Sequence, residues 1–226
     1  MIPPIGGFSM GAHPTISRLM KGIFNKRPPS RRAFPSWDVA SVFAALPPAS
    51  DSLKDLEKRA AFLLAMASSR RPSELASLRC DSAFMILNSE SVRFIPSRLS
   101  KTDRQTHLGN PLVIRRLPPT DDASLCPVAA LENLLRRRRD LGIDHDYVFS
   151  LPSSPSSPIS TDAFSSLLRN CFRRAGISAP PGSTRAISVS DAFARGANVD
   201  AILLAGDWSG SQTFFRHYLR PSASSL

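Results

Sequence analysis

The sequence predicts a mainly α-helical protein with one small antiparallel β-sheet, that is, an α+β fold. In most of the chain, apolar residues recur every three to four positions, and many of these segments begin at a capping residue or a proline. Three short runs of Val, Ile, Leu and Phe lie among them, bounded by turn-forming residues, which is typical of strands. The 226 residues, 42% of them hydrophobic, suffice to bury a core.

The individual elements are predicted from these periods and from their caps. Asp38 is expected to cap the second helix, and Pro72 and Pro127 suit the first positions of the helices that they open. Helices are expected over 14–24, 38–46, 53–68, from 71, and over 127–139, 161–174, 184–195, 199–206 and 210–219. Strands are expected over 84–87, 92–95 and 112–114, and the Ser- and Pro-rich stretch 151–158 is predicted to be a loop. The inward face of 53–68 is predicted to consist of Leu56, Leu63, Leu64 and Ala67.

The first 36 residues differ in composition from the rest. They are rich in Gly, Pro and Arg and hold a single amphipathic helical candidate. One such helix cannot bury its apolar face alone. We therefore predict that 1–36 is the end of a helical domain with a linker, and that 37–226 forms a compact domain.

The chain carries 29 Lys and Arg against 18 Asp and Glu, a formal net charge of +11. Such an excess favours a polyanionic partner, of which nucleic acid is the commonest; a merely basic, solvated surface is the alternative. Arginine supplies most of the charge, and its planar guanidinium binds phosphate oxygens in pairs. The side chains predicted to contact DNA are Arg70, Arg104, Arg136, Arg137, Arg138, Arg139, Arg173, Arg174, Arg216 and His217.

Cysteine usage and hydropathy exclude several other classes. The cysteines at 80, 126 and 171 lie far apart and are expected to be buried in a reducing compartment. No Cys/His spacing is typical of metal ligands, so neither a metal nor another cofactor is predicted. No apolar run reaches the roughly 18 residues of a membrane span, so a soluble intracellular protein without a membrane partner is expected.

Two arginines are predicted to lie at the starts of helices. Arg71 precedes a proline, and Arg185 follows Ser183 and Thr184, either of which can cap its helix. Free N–H groups and the helix dipole favour an anion there, and together the two arginines could grip both non-bridging oxygens of one phosphate. Solvated surface arginines are the alternative. Glu74 is expected either to hold Arg71 in place or to complement the dipole.

Three further side chains suit chemistry on a phosphodiester. Lys101, in a polar stretch between predicted strands, could protonate a departing oxygen or could be simply a solvated hairpin lysine. Trp208 could aim its indole N–H at a phosphate oxygen or could lie in the core. Tyr218 could be a nucleophile if cations lower the pKa of its phenol from about 10, whereas its helical spacing from Phe214 favours a core aromatic residue. The other tyrosine, Tyr147, lies in an apolar run and is a poorer nucleophile candidate.

In the order Arg, Lys, Arg, Trp, Tyr, these residues resemble the catalytic residues of tyrosine recombinases, particularly the integrases of DIRS-type retrotransposons and related mobile elements. The resemblance is carried by the stretches 11–23, 37–39, 70–75 and 206–220 and so extends over nearly the whole chain. It implies that Arg71 and Arg185 are the two catalytic arginines and that Lys101 is the hairpin lysine. It also implies that Trp208 occupies the His/Trp position and that Tyr218 is the nucleophile.

The resemblance also implies double-stranded DNA as the partner and a reaction without metal or external energy. Tyr218 would attack a DNA phosphate and form a 3′-phosphotyrosyl link, and the released 5′ hydroxyl would attack a partner duplex, with four protomers acting on two duplexes. The implied fold is a helical catalytic domain with a small sheet, preceded by a helical core-binding domain of which 1–36 would be the end. The implied location is the nucleus if the chain comes from a eukaryotic mobile element, and the cytoplasm or nucleoid otherwise.

The chain departs from the family pattern at Gly182. The motif His-x-x-Arg has His, or sometimes Lys, three positions before the second arginine, and this chain has glycine there. Loss of a proton-transfer group lowers a rate by about 10² to 10⁴-fold. We therefore expect a weak or degenerate recombinase. The alternatives are a catalytically inactive DNA-binding remnant of a mobile-element recombinase and an unrelated basic protein that binds RNA or DNA.

Overall fold

The computed structural model describes residues 7–8, 13–28, 36–48, 50–98, 109–208 and 211–217. It divides the chain into two compact units, Met1–Ala33 and Phe34–Leu226. In the first unit, helix α1 spans Pro14–Lys26, with His13 as its N-cap. No residue of α1 is buried; its exposed apolar side chains are Leu19, Met20, Ile23 and Phe24. That this unit is the end of a helical domain stays a prediction.

The second unit contains every helix predicted for it. Helices α2 to α9 span Val39–Ala44, Leu53–Ser68, Pro72–Ala76, Pro127–Asp140, Thr161–Arg174, Ser183–Ala194, Val199–Gly206 and Ser211–His217. Asp38 caps α2 as predicted, because its carboxylate accepts hydrogen bonds from the N–H groups of Ala40 and Ser41. Within the described ranges, no helix combines the length and the apolar character that crossing a membrane requires.

A three-stranded antiparallel sheet confirms the predicted strands. Its strands are β1 Met85–Leu87, β2 Ser91–Phe94 and β3 Leu112–Arg115, paired in the order β1-β2-β3. Side chains alternate between the core and the solvent along β2 and β3, as a half-buried strand requires. Those in the core are Val92, Phe94, Leu112 and Ile114.

The stretch 151–158 is not a loop, contrary to the prediction. Strand β4, Ser150–Leu151, pairs antiparallel with β5, Ser154–Pro158. Proline is depleted in strands, and Ser/Pro clusters are typical of loops, which is why the sequence indicated one. The pairing is compatible with this composition because β5 is largely exposed and has one partner strand, so that its prolines need not donate hydrogen bonds on the solvent side.

Helix α3 is the centre of the core. Every residue from 56 to 65 is buried, because α5, α6 and α7 pack around the helix. The prediction of a single inward face that includes Ala67 is therefore wrong in part: Ala67 is exposed, whereas Glu57, Lys58 and Arg59 are buried. The two buried cations have partners, an aspartate at 2.8 Å for Lys58 and two backbone carbonyl oxygens for Arg59.

Arg138 of α5 is also part of this core, which corrects its prediction as a DNA contact. Its side chain is 3% exposed, and its guanidinium donates to the carbonyl oxygens of His145, Tyr147 and Val148. A phosphate could reach it only if these hydrogen bonds broke. The charge run Arg136–Arg139 concealed this role, because four consecutive residues of a helix point in different directions.

The buried carboxyl group of Glu57 gives the fold a predictable pH dependence. Burial raises the pKa of Glu57 to about 7, although the carboxylate accepts a hydrogen bond from the backbone N–H of Ser150. Because the raised pKa means that the folded state binds this proton more tightly than the unfolded chain, stability is lost as the pH rises from about 4.5 through 7. We expect this group to lower the melting temperature by roughly 3 to 10 °C across that window.

The variant Glu57→Gln isolates this effect, since it removes the titration and keeps an acceptor for Ser150. In thermal melts at pH 5 and pH 8, the variant should gain stability relative to the wild type as the pH rises. Burial lowers the pKa of His145, which opposes the trend, but this group is present in both proteins and cancels in the difference. A difference in melting temperature that is the same at both pH values would contradict the raised pKa.

Candidate active site

Arg71 lies at the corner between α3 and α4. Helix α3 ends at Ser69, which has a left-handed backbone with φ 53°, and Arg71 becomes the N-cap of α4. Its Nη1 lies 2.6 Å from Oε1 of Glu74, and its backbone N–H donates to Oε2 at 3.1 Å. Helix α4 has only five residues, so its dipole is too small to support the predicted anion site at its start. Of the two roles expected for Glu74, orienting Arg71 is the one that the contacts favour.

Arg185 lies in the first turn of α7, with a side chain that is 2% exposed. Its Nη2 donates to the carbonyl oxygen of Gly206 at 2.7 Å, and its Nη1 lies 4.0 Å from Oε2 of Glu74. The carboxylate of Glu74 thus faces Arg71 with one oxygen and Arg185 with the other. The structure therefore brings together two arginines that are far apart in the sequence.

The start of α7 differs from the prediction in its cap. Gly182 is the N-cap, and neither hydroxyl side chain that follows it caps the helix. Instead, Ser183 Oγ accepts a hydrogen bond from the indole N–H of Trp37 at 3.0 Å, and Thr184 Oγ1 donates to the carbonyl oxygen of Pro181 at 2.9 Å. Both residues are buried, so these partners replace the helix N–H groups that the sequence indicated.

Trp208 covers the guanidinium of Arg185. The Cζ atom of Arg185 lies 3.8 Å from the centroid of the indole ring, a cation–π contact. The indole is buried and packs in a small apolar cluster with Val189, Ile202 and Phe214. The core role that the sequence left open is therefore observed, and it holds the arginine in place. An N–H contact from Trp208 to a phosphate stays a prediction.

Asp207 and Asn110 belong to this arrangement, and neither was predicted from the sequence as a site residue. The carboxylate of Asp207 is fully buried, and its Oδ1 accepts from the backbone N–H and the side-chain amide of Asn110 at 3.1 and 3.0 Å. Its Oδ2 lies 3.4 Å from Nη1 of Arg70, and Nη2 of Arg70 donates to the carbonyl oxygen of Asn110 at 2.9 Å. No local pattern could indicate these contacts, because they join three separate segments of the chain.

The contacts of Arg70 show a structural role for a residue whose predicted DNA contact stays a prediction. The side chain of Arg70 is buried, and its guanidinium is engaged with Asp207 and with Asn110. A buried guanidinium with such partners stabilises the fold. Arg70 and Arg71 are adjacent in the sequence and both line a cavity, but Arg70 is buried whereas Arg71 is half-buried.

A cavity of about 140 Å³ is lined by several of these residues. Among the described residues, its charged lining consists of Arg70, Arg71, Arg98, Glu74 and Asp207. In this described lining, arginines outnumber carboxylates, which favours an anionic occupant. The described part of the β2–β3 connection ends at Arg98 and resumes at Gly109, and both of these residues line the cavity.

Lys101, Arg104 and Tyr218 lie outside the described residues, and so do the side chains of Arg216 and His217 in the last turn of α9. The aromatic stripe that precedes the tyrosine has one fully buried member, Phe214, and one exposed member, Phe215. The convergence of the tyrosine and the lysine on the two arginines stays a prediction.

The remaining arginines predicted to bind DNA differ in exposure. Arg136, Arg139, Arg173 and Arg174 are exposed, and Arg137 is half-buried. The Nε of Arg174 donates to the carbonyl oxygen of Ala45 at 2.9 Å, which fixes that side chain along the surface. Their contact with DNA stays a prediction.

Thiols and carboxylates do not form a metal centre in the part of the chain that the structure describes. No group of three or more His, Cys, Asp or Glu side chains there is placed to hold a metal ion. All three cysteines are free thiols; Cys126 and Cys171 are buried as predicted, whereas Cys80 is half-buried.

Comparison with known proteins gives no match by sequence and clear matches by structure. No protein-family model matches the chain, and no curated protein matches it significantly. The structure of XerA recombinase is similar with a TM-score of 0.59 and 18% identity, over 88% of this chain and 65% of XerA. XerH recombinase bound to its difH substrate gives 0.61 and 12%, over 96% of this chain and 64% of XerH. A lambda integrase dimer bound to a COC′ core site gives 0.56 and 14%, over 94% and 72%.

These likenesses concern the fold, since the identities are low. The chain spans slightly less than two thirds of the XerA and XerH chains. The predicted fold class, mainly helical with a small antiparallel sheet, is the one observed. The chain therefore has the fold of tyrosine recombinase catalytic domains, as the resemblance of its motifs implied.

Proposed function

We propose that this chain cleaves and rejoins DNA strands through a 3′-phosphotyrosyl intermediate, as a tyrosine recombinase. The observation that carries the proposal is the arrangement of Arg71 and Arg185 on the two oxygens of Glu74, with an indole stacked on the second arginine. Two guanidinium groups at one place match the two non-bridging oxygens of a single phosphate. The fold and the net charge of +11 support the same substrate.

In the proposed step, the phenolic oxygen of Tyr218 attacks the phosphorus atom of a phosphodiester. A bond forms between this oxygen and phosphorus while the bond from phosphorus to the 5′ oxygen breaks. The phenol gives its proton to a water molecule, because Gly182 offers no basic side chain. The 5′ oxygen gains a proton from the ammonium group of Lys101, which we assign as general acid. Attack by a 5′ hydroxyl on the phosphotyrosyl link reverses the step and regenerates the tyrosine, so the bond energy is retained throughout.

The surroundings of Arg185 suit the stabilisation of charge in this step. The guanidinium is already held by the carbonyl oxygen of Gly206 and by the ring of Trp208, so it need not reorganise when charge develops. Preorganised donors of this kind are each worth about 10² to 10³ in rate. Arg71 is more exposed, with 27% of its side chain accessible, and is the arginine that can turn from Glu74 toward a bound phosphate.

A DNA-binding remnant without cleavage activity is the second candidate. It is favoured by Gly182, which provides no side chain where the family motif has a proton-transfer group. Such a protein would still bind DNA through its arginines. An origin in a retrotransposon or related mobile element, assembly of several protomers on DNA, and a nuclear location in a eukaryotic host are proposed with either candidate on the resemblance of the motifs.

Trapping the covalent intermediate separates the two candidates. We expect a protein–DNA adduct, stable in SDS electrophoresis, on nicked duplexes from which the cleaved 5′-hydroxyl fragment dissociates. Because the target sequence is unknown, the duplexes carry a randomised core, and sequencing of the trapped DNA reveals the preferred site. Tyr218→Phe should abolish the adduct, and Tyr147→Phe is the matched control that should retain it. An adduct that survives Tyr218→Phe would rule out the assigned nucleophile.

Binding to duplex DNA should weaken steeply with salt, because neutralised phosphates release counterions. If about four to eight phosphates are contacted, the affinity should fall by about 10² to 10⁴-fold between about 50 and 200 mM NaCl. Replacing the exposed Arg136 and Arg139 together by Gln should reduce the slope of log Kd against log salt by up to about 2. Arg195→Gln, at an exposed arginine paired with Asp191, is the control. An affinity that is constant over this range would contradict the prediction.

A further inference from the structure

We propose that Asp207 is a positioning residue that keeps Arg71 and Arg185 at a fixed separation from each other. The inference rests on the proposed function, because it concerns how that same site is assembled. Asp207 is not assigned a contact with the reacting atoms. It acts through the residues that its side chain binds and through the turn that its backbone forms.

The side chain of Asp207 contacts two segments near Arg71, the start of α4 and the end of the β2–β3 connection. It lies 3.4 Å from Nη1 of Arg70, the residue directly before Arg71, and so fixes the chain where α4 begins. It also accepts both N–H hydrogen bonds of Asn110, at the end of the β2–β3 connection. Because the carboxylate is fully buried, the ion pair with Arg70 lies out of reach of solvent, and loss of either partner is costly to the fold.

The backbone of Asp207 forms the turn whose flanking residues contact Arg185. Its left-handed conformation, φ 54°, ends α8 and turns the chain. Directly before it, the carbonyl oxygen of Gly206 accepts from Arg185, and directly after it, the ring of Trp208 covers the same guanidinium. Glycine is required at 206, since a Cβ atom there would lie 1.7 Å from Cζ3 of the indole.

Three consecutive residues therefore contact both sides of the site. Gly206 and Trp208 hold Arg185, while the side chain between them holds Arg70 and Asn110. Two arginines that act on one phosphate must keep a fixed separation, and a misplacement of about 1 Å can lower a rate by about 10²-fold. Because Asp207 lies between these contacts, we infer that it fixes the separation of Arg71 and Arg185.

Two substitutions test this role while respecting the backbone. Asp207→Gly removes the carboxylate and accepts the positive φ, and Asp207→Asn keeps the shape and an acceptor for Asn110 but loses the charge that faces Arg70. At saturating nicked duplex, adduct formation should slow by about 10²-fold for Asp207→Gly and by about 3- to 10-fold for Asp207→Asn. The Kd for DNA should stay within about twofold, because no DNA contact is assigned to Asp207. Asp200→Asn, an exposed aspartate of α8, should change neither quantity.

A second measurement reports on the surroundings of Trp208 and does not depend on adduct formation. The chain has two tryptophans, so protein labelled with 5-fluorotryptophan gives two fluorine resonances, which Trp208→Phe assigns. In Asp207→Gly, the resonance of Trp208 should shift or broaden, and that of Trp37 should stay. If Asp207→Gly does not fold, Asp207→Asn is measured in the same way.

The outcomes separate this inference from the proposed function. A folded Asp207 variant that forms the adduct at the wild-type rate overturns the positioning role, whatever its resonances do. If neither the wild type nor Gly182→His forms an adduct, the proposed function fails, and the Trp208 resonance alone decides the positioning. An unchanged Trp208 resonance in that case overturns it.

Discussion

Replacing Arg185 by alanine is expected to slow adduct formation by about 10² to 10³-fold at saturating DNA. The physical reason is that the guanidinium is buried, stacked on Trp208 and hydrogen-bonded to Gly206, and thus preorganised for charge that develops on a phosphate. Arg185→Lys should lose nearly as much, because an ammonium group cannot bond Gly206, stack on the indole and face a phosphate oxygen at once.

The matched control for this prediction is Arg195→Ala, on the same helix. Arg195 is 75% exposed and pairs with Asp191 one turn away, so its loss should change the rate and the melting temperature little. Arg185→Ala also leaves a space beneath Trp208, and its folding is therefore checked by thermal melt and by DNA affinity. If the wild-type adduct is too slow to quantify, both variants are compared in Gly182→His. A folded Arg185→Ala that forms adduct within about threefold of its parent would remove Arg185 from the proposed mechanism.

The sequence predicted the elements well where local signals decide them. Helices α3 and α6 have the bounds expected from their periods, and α2 begins at its predicted Asp38 cap. These signals depend on residues within one turn, so no knowledge of packing is required. The same reasoning failed for β4 and β5, because there the pairing of β4 with the largely exposed β5 outweighs the loop preference of Ser and Pro.

Local sequence patterns did not predict which polar side chains are buried or which contacts join distant segments. Arg138 stands in a run of arginines that indicates a solvated face, yet it is buried by carbonyl oxygens from the following loop. Asp207 has no neighbouring residue that predicts its partners, because Arg70 and Asn110 come from other segments. The two arginines of the site were found because chemistry and resemblance pointed to them, whereas their shared partner Glu74 was given only a supporting role.

Of the substitutions considered, replacement of Gly182 by histidine is expected to increase activity most. In family terms, the residue three positions before the second arginine transfers a proton, and residues three apart lie on one face of a helix. Gly182 is the N-cap of α7, with φ −67° and ψ −9°, so a histidine there would lie beside Arg185 in the first turn. We expect Gly182→His to increase adduct formation by about one to four orders of magnitude.

The local structure removes the main obstacle to this test. A positive φ at Gly182 would have strained any other residue, but the observed φ is in the ordinary helical region, and a Cβ atom would meet nothing within 4 Å. Replacing glycine at an N-cap by a residue that caps less well destabilises a helix by about 1 kcal/mol or less, which a thermal melt can verify. Gly182→Ala is the control that adds a Cβ atom without a proton-transfer group and should give no increase. Tyr218→Phe in the Gly182→His background should abolish the adduct. A well-folded, DNA-binding Gly182→His protein with no more adduct than Gly182→Ala would mean that the site lacks more than a histidine, and the DNA-binding remnant would then be the better account of this chain.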